Sequence, residues 1–157
     1  MNAGVVLEVS DGRHASETIV NSDGCVNVSE GGMSDGTILN SGGTLCVQEN
    51  GTATVLHSPW QSGTVVSMAG AIVNYISNGT GVYYGNETDG VISHAASMHG
   101  ADVVSGNSLL VYIDGIADGA SVGEAGTMQV YQGGVANATT VESGGTMQIY
   151  SGGSVDH

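Results

Sequence analysis

A nineteen-residue repeat constrains the fold of this chain more than any other feature of its sequence. The segment GGTMQIYSGG at 144–153 closely copies AGTMQVYQGG at 125–134. Three apolar columns recur at this interval. They are Val9, Val28, Val47, Val73, Ile92, Val111, Val130 and Ile149; Val20, Leu39, Val65, Tyr84, Val103, Val122 and Val141; and Leu7, Val26, Leu45, Ala71, Gly90, Leu109, Met128 and Met147. A fixed period of this length is typical of stacked repeats.

Each repeat reads as short strands separated by corners. Met128-Gln129-Val130-Tyr131 has the two-residue alternation of a strand, and glycine pairs such as Gly144-Gly145 suit sharp turns. No stretch carries the apolar stripe of a helix. We therefore predict an all-β, right-handed parallel β-helix, a solenoid of about eight nineteen-residue rungs stacked about 4.8 Å apart. A β-sandwich is the alternative, but its strands would not need one period over so many copies.

One interval departs from the period. Val47 and Val73 are twenty-six residues apart, which predicts a loop insertion of about seven residues near 56–64, where Pro59 and Trp60 lie. This zone, and the departure from the repeat at 74–100, are where we expect a partner-specific site. Because the repeat runs along the whole chain, we predict a single repeat domain over 1–157.

The charge of the chain excludes several classes of partner. Its 157 residues include fifteen Asp and Glu, no Lys and only Arg13, for a formal net charge of −14. Nucleic acids and anionic membranes need basic residues to bind, so neither is expected as a partner. No signal-peptide pattern and no apolar run of about twenty residues is visible. We expect the chain to be a piece of a longer protein, or a protein whose export depends on information outside these residues.

The residues that could carry chemistry are scattered. The acids occupy different columns, no base accompanies Glu87 and Asp89, and no nucleophile triad or phosphate loop is present, so we predict no enzymatic activity and no cofactor. His94, His99 and Asp102 are close in sequence, but exposed loop histidines are the simpler interpretation, and we predict no metal site.

Two cysteines can be placed by the register of the repeat. Cys25 and Cys46 fall on adjacent rungs but two residues apart in register, so their Cα atoms should lie about 8 Å apart, beyond disulfide reach. We predict free thiols on the outer face.

Two stripes flank the β-branched column and should point outward. Aliphatic residues and Cys46 precede it, and tyrosines follow it. The candidate interaction surface consists of Ile72, Val91, Leu110, Tyr112, Tyr131, Tyr150 and Trp60. One interpretation is that the loop with Trp60 covers the aliphatic stripe and the tyrosines only favour strands. The other is an adhesive face, since contiguous apolar or aromatic patches mark association surfaces.

The repeats resemble those of a known family. ESGGTMQIYSGGSV at 142–155 and NSGGTLCVQENGTATV at 40–55 are similar to the nineteen-residue repeats of AIDA-type self-associating autotransporter adhesins. The resemblance implies the passenger of a type V secreted bacterial surface protein, which mediates aggregation and adherence outside the cell. It also implies attachment to the outer membrane through a barrel domain that these residues do not include.

The resemblance further implies O-glycosylation of Ser and Thr by dedicated transferases. The candidate acceptors near the GGT corners are Thr44, Thr127 and Thr146. We therefore expect an adhesin passenger that binds copies of itself, or a glycan or protein on a host or bacterial surface. The alternatives are a carbohydrate-binding module that uses the tyrosines or Trp60 as sugar platforms, and an acceptor scaffold for a glycosyltransferase.

Overall fold

The computed structural model describes residues 4–156, and all regular structure in them is β. Parallel strands stack into a β-solenoid of about eight rungs, as the repeat predicts. In this part of the chain no helix could cross a membrane. The contacts divide the chain into two compact units, Met1–Asn78 with Glu87–Val91, and Gly79–Asn86 with Ile92–His157. The single domain over 1–157 and the right-handed coiling stay predictions.

The first unit contains two main parallel sheets. Its strands are β1 (Val6–Val9), β2 (His14–Ser16), β3 (Ile19–Val20), β4 (Cys25–Val28), β5 (Met33–Leu39), β6 (Thr44–Val47), β7 (Thr52–Leu56), β8 (Thr64–Ser67) and β9 (Ile72–Ile76). The sheet orders are β1-β4-β6-β8 and β2-β5-β7-β9, and β3 also pairs with β5. Val9 pairs with Val28 and Val28 with Val47, so the nineteen-residue column is confirmed here.

The core of the first unit is built from the inward residues of these strands. Strands β4 and β6 bury every second residue, because side chains alternate between the two faces of a strand. Val26, Leu45 and Val20 are fully buried, and Leu39 and Ala53 complete the apolar stack. The residues of one column, one from each rung, thus pack on each other in a continuous row.

The loop 57–63 lies where an insertion was predicted, but the predicted length is wrong. Val47 pairs with Ser67, which is twenty residues away, so this rung is only one residue longer than the others. Val73 pairs with Ala53, and Val65 pairs with Leu45. The predicted positions of Val73 and Val65 in the columns are therefore wrong, because spacing alone placed them on the wrong sheets.

The second unit repeats the same design with shorter strands. It contains β10 (Val82–Asn86) and the part of β11 (Gly90–Ala95) from Ile92 onward. Its other strands are β12 (Ser97–His99), β13 (Asp102–Val103), β14 (Ser108–Val111), β15 (Ile116–Asp118), β16 (Ser121–Val122), β17 (Thr127–Val130), β18 (Val135–Asn137), β19 (Thr140–Val141), β20 (Thr146–Ile149) and β21 (Ser154–Asp156). They form sheets of order β11-β10-β14-β17-β20, β12-β15-β18-β21 and β13-β16-β19. Val111 pairs with Val130 and Val130 with Ile149, which confirms the column.

A hairpin breaks the parallel stacking. Three residues, 87–89, join β10 to its neighbour β11, and so short a connection requires antiparallel strands. Strand β10 also pairs antiparallel with β14, so that Tyr84 lies opposite Leu109. The columns that included Tyr84, Gly90 and Ile92 are wrong, because the chain reverses direction where the repeat predicted another parallel rung.

A buried asparagine holds part of this hairpin within the first unit. Asn40 is 2% exposed, and its Oδ1 accepts a hydrogen bond from Val91 N at 2.8 Å. Its Nδ2 donates to Val91 O and to Asn21 Oδ1, each at 2.8 Å. The side-chain amide therefore pairs with Val91 as a strand backbone would, and it satisfies two backbone groups where no parallel strand continues.

The glycine that ends a corner is required, at seven corners, by close approach to an earlier rung. A Cβ on Gly126 would stand 1.8 Å from Val103 O, and one on Gly145 would stand 2.1 Å from Val122 O. Both pairs are twenty-three residues apart. The same relation holds for Gly32 and Val9, Gly43 and Val20, Gly51 and Val28, Gly134 and Val111, and Gly153 and Val130.

Candidate interaction surface

The outer face of β17 and β20 presents three kinds of side chain in register. The strands place Thr127 beside Thr146 and Gln129 beside Gln148, and a tyrosine follows each strand. We name this surface the Tyr–Gln face; its residues are Thr127, Gln129, Tyr131, Thr146, Gln148 and Tyr150. Its side chains point outward because Met128 and Val130 between them are fully buried.

The tyrosines of this face form a continuous ring stack. The ring centroids of Tyr112 and Tyr131 are 4.6 Å apart, and those of Tyr131 and Tyr150 are 4.8 Å apart, with 6° between the planes in each pair. Tyr83 closes one end of the stack by an edge contact with Tyr112 at 5.5 Å and 89°. The spacing equals the rise of one rung, so the backbone register fixes the stack.

Glutamines join the phenols into one hydrogen-bond network. Tyr131 OH donates to Gln129 Oε1 at 2.9 Å, and Tyr150 OH donates to Gln148 Oε1 at 3.1 Å. Gln129 Nε2 donates to Gln148 Oε1 at 2.8 Å and to Tyr150 OH at 3.3 Å. Neighbouring rungs therefore hold each other's polar side chains in place.

The depth of the stack changes how its phenols ionise. Burial raises the pKa of the Tyr112 phenol most strongly, and the neighbouring Tyr131 and Tyr83 raise it further. Burial also raises the pKa of Tyr131, and the nearby Tyr150 adds to the effect. Both phenols therefore keep their protons to a higher pH than an ordinary tyrosine does.

The stack bears on the predicted sugar platform. A sugar ring binds an aromatic residue by packing on the face of its ring. Tyr131 has Tyr112 on one face and Tyr150 on the other, so only its edge and hydroxyl are left for a ligand. Hydrogen bonding, rather than ring packing, is what this surface offers at Tyr131.

Two residues of the predicted surface are buried, and their assignment is wrong. Val91 is 0% exposed and is bonded through its backbone to Asn40. Leu110 is 5% exposed, because the antiparallel strand β10 places the buried Tyr83 opposite it. The alternation of side chains along a strand predicts that both residues face outward, but it does not predict whether another strand covers the outer face.

The other predicted surface residues lie in the first unit. Ile72 is 54% exposed on β9. Trp60 is half-buried in the loop 57–63. A cavity of about 200 Å³ lies beside this loop, and its lining includes His57, Tyr75 and Ile76. Burial lowers the pKa of His57. The irregular zone therefore contains a cavity, and the partner-specific site expected there stays a prediction.

The candidate glycan acceptors lie on outward strand positions. Thr127 and Thr146 are directly paired on β17 and β20, and Thr44 pairs with Cys25 on the sheet of the first unit. Thr146 is exposed, whereas Thr44 and Thr127 are half-buried. Thr146 is thus the most accessible of the three.

His94 and His99 have separate partners. His94 Nε2 lies 2.9 Å from Thr80 O, and its ring packs on Tyr83 with centroids 4.3 Å apart. His99 Nδ1 lies 3.3 Å from Asp118 Oδ2 on the next rung. Within residues 4–156, no group of three or more His, Cys, Asp or Glu side chains could hold a metal ion.

The cysteines are free thiols on adjacent rungs. Cys25 pairs with Thr44 and Cys46 pairs with Asn27, which is the predicted offset. Both are half-buried on outward strand positions. Burial raises the pKa of Cys25, and the nearby Cys46 thiol and Glu8 carboxylate raise it further.

Sequence reasoning missed the two glutamines and the Asn40 contact. The repeated TMQ of 127–129 and 146–148 was a usable signal for the glutamine pair, since identical outward residues in successive rungs must meet. Asn40 had no such signal, because its partner Val91 is fifty-one residues away and belongs to no column with it.

Comparison with known proteins finds a weak similarity to a solved structure. No protein-family model matches the chain, and no curated protein matches it. Among solved structures, the chain is similar to a hyper-glycosylated TibA fragment whose modification was catalysed by TibC. The two share 22% identity at a TM-score of 0.35, over 99% of this chain and 75% of that chain.

Proposed function

We propose that this chain is a segment of a bacterial adhesin passenger that acts outside the cell by self-association or adherence through its outer faces. The observation that carries the proposal is the Tyr–Gln face, where outward polar side chains repeat in register from one rung to the next. The proposal includes no enzymatic step and no cofactor, and it places the protein at the cell surface.

The chemistry of the face suits binding to another repetitive surface. Gln129 and Gln148 each carry both a donor and an acceptor, and the phenols of Tyr131 and Tyr150 add hydroxyls. The network between rungs already orders these side chains, so less conformational entropy is lost when a partner binds. Many weak contacts along such a surface give avidity between cells rather than tight one-to-one binding.

The charge of the protein predicts how association should respond to salt. Two copies at a formal charge of −14 repel each other at low ionic strength. Screening shortens this repulsion to about 10 Å at 0.1 M salt. We therefore expect self-association that strengthens from low to moderate salt, which is the opposite of an interaction between opposite charges.

Sedimentation velocity over a wide concentration range tests this proposal. Arginine at two exposed positions of the face, Thr146→Arg with Gln148→Arg, should weaken association strongly. The matched control is Thr140→Arg with Ser154→Arg, which adds the same charge at exposed positions on two other sheets. Equal association by both variants would exclude this face, and a monomer at all concentrations and salts would exclude self-association.

A second candidate function is an acceptor scaffold for a glycosyltransferase. The exposure of Thr146 on the outer face favours it, since a transferase must reach the hydroxyl. The intact mass of the protein purified from its native host distinguishes this candidate. Added hexose or heptose masses that disappear in Thr146→Val would support it, whereas the bare chain mass would exclude it. A glycan array tests the separate possibility that the protein adheres by binding a sugar on a cell surface.

A further inference from the structure

We propose that Tyr131 and Tyr150 form an oxidative cross-linking site, at which a peroxidase-type oxidant couples the two phenols into dityrosine within one molecule. The inference rests on the ring stack and does not require the proposed adhesive function.

The backbone brings the two rings together and keeps them there. Tyr131 N donates to Val111 O, and Tyr150 N donates to Val130 O, each at 2.8 Å, immediately after paired strands. The ring centroids lie 4.8 Å apart and the planes differ by 6°. Because the two phenols are held in contact, their coupling is an intramolecular reaction. It is therefore faster than coupling between tyrosines of separate protein molecules.

The exposure of the two tyrosines determines which of them the oxidant reaches first. Tyr150 is 44% exposed, so an oxidant reaches it directly, whereas Tyr131 is half-buried between two rings. Both hydroxyls donate to glutamine oxygens, which hold the phenol oxygens side by side. Burial raises the pKa of Tyr131, so its phenol is oxidised with loss of a proton rather than as a phenolate.

The reaction balances with hydrogen peroxide as the oxidant. A haem peroxidase oxidised by one peroxide takes one electron and one proton from each phenol, and the peroxide becomes two molecules of water. The two phenoxyl radicals form one carbon–carbon bond between ring positions next to the hydroxyls. The hydrogen on each of these carbons then leaves as a proton to solvent while each oxygen regains one. The protein loses two hydrogen atoms in total.

The product can be mapped because acids separate the two tyrosines. Cleavage after glutamate cuts at Glu124 and Glu142, which places Tyr131 in peptide 125–142 and Tyr150 in peptide 143–157. After treatment with a haem peroxidase and hydrogen peroxide, we expect dityrosine fluorescence in a monomeric band. We also expect one joined peptide pair two hydrogen masses below the sum of its parts. Oxidation after digestion should not give this pair.

Matched variants separate the stack from simple exposure. Tyr75 is 65% exposed, more than Tyr150, and makes no described ring contact. Tyr150→Phe, with folding verified by circular dichroism, should lower the yield of the joined peptides by about tenfold or more. Tyr75→Phe should leave that yield unchanged. The proposal is overturned if the wild type forms no intramolecular dityrosine, if Tyr75 supplies the product, or if Tyr150→Phe retains it.

Discussion

The close approach at the rung corners gives a sharp prediction for Gly126→Ala. The φ of Gly126 is not in the left-handed region, so alanine is acceptable to its backbone, and the change tests packing alone. The new Cβ would stand 1.8 Å from Val103 O, where a carbon–oxygen contact is normally about 3.3 Å. The carbonyl would have to move by about 1.5 Å, the difference between the two distances.

The magnitude follows from what that movement disturbs. Val103 O accepts the hydrogen bond from Gly123 N at 3.0 Å, and weakening it removes about 1 kcal/mol. Strain from overpacking adds about 1–3 kcal/mol. The lower flexibility of alanine in the unfolded chain returns about 0.4–1 kcal/mol. We expect the free energy of unfolding to fall by about 3 kcal/mol, because this contact is the shortest of the corner contacts, and Tm to fall by about 6–12 °C.

Urea unfolding followed by far-ultraviolet circular dichroism measures the change. The control is Gly106→Ala, whose Cβ meets nothing within 4 Å but whose φ of 83° is unfavourable for alanine. It should lose only about 1–2 kcal/mol. If Gly126→Ala loses no more stability than Gly106→Ala, the close approach to Val103 does not determine which residue this corner accepts.

Four further predictions follow from other sites. Ala125→Gly should raise the free energy of unfolding by about 0.5 kcal/mol, since Ala125 has a φ of 58°, and an unchanged urea midpoint would contradict this. Asn40→Asp should lower it by about 3 kcal/mol, because a carboxylate cannot donate the two hydrogen bonds made by Asn40 Nδ2; a loss under about 1 kcal/mol would exclude that role. The raised pKa values of Tyr112 and Tyr131 mean that the folded state holds these protons more tightly than the unfolded chain. The stability that these two phenols contribute is therefore complete below about pH 10 and is lost as pH rises further. Urea midpoints should fall between about pH 10 and 11, and a flat profile in that range would refute it. Cys25 should be alkylated more slowly than a model thiol at about pH 8.5, because its raised pKa leaves less thiolate; an equal rate would argue against its burial.

The sequence predicts the parts of the fold that depend on spacing between successive rungs. The Val9, Val28 and Val47 column and the matching column at Val111 and Val130 form as expected, because each side chain packs on its copy one rung away. The tyrosine stack follows from the same rule. In these rungs, residues that are nineteen apart in the sequence are neighbours on adjacent strands.

The sequence does not predict where the chain reverses. The hairpin of β10 and β11 keeps apolar residues at the nineteen-residue interval, so the spacing of Tyr84 and Ile92 predicts another parallel rung. The positions of apolar residues are the same for a parallel and an antiparallel strand, so they do not indicate strand direction. Nor did strand parity show that Leu110 is covered, because a covered outer face and an exposed one have the same alternation.

The corner glycines also affect how a gene for such a chain can change in length. Seven of these glycines lie close to a carbonyl twenty-three residues earlier, and the relation recurs in both units, as between Gly43 and Val20 and between Gly145 and Val122. Unequal recombination that removes or duplicates a whole nineteen-residue rung leaves every remaining glycine facing an equivalent carbonyl. A deletion of any other size misaligns all the corners at the junction. Outside the loop 57–63 and the hairpin of β10 and β11, homologous alleles should therefore differ in length by multiples of nineteen codons.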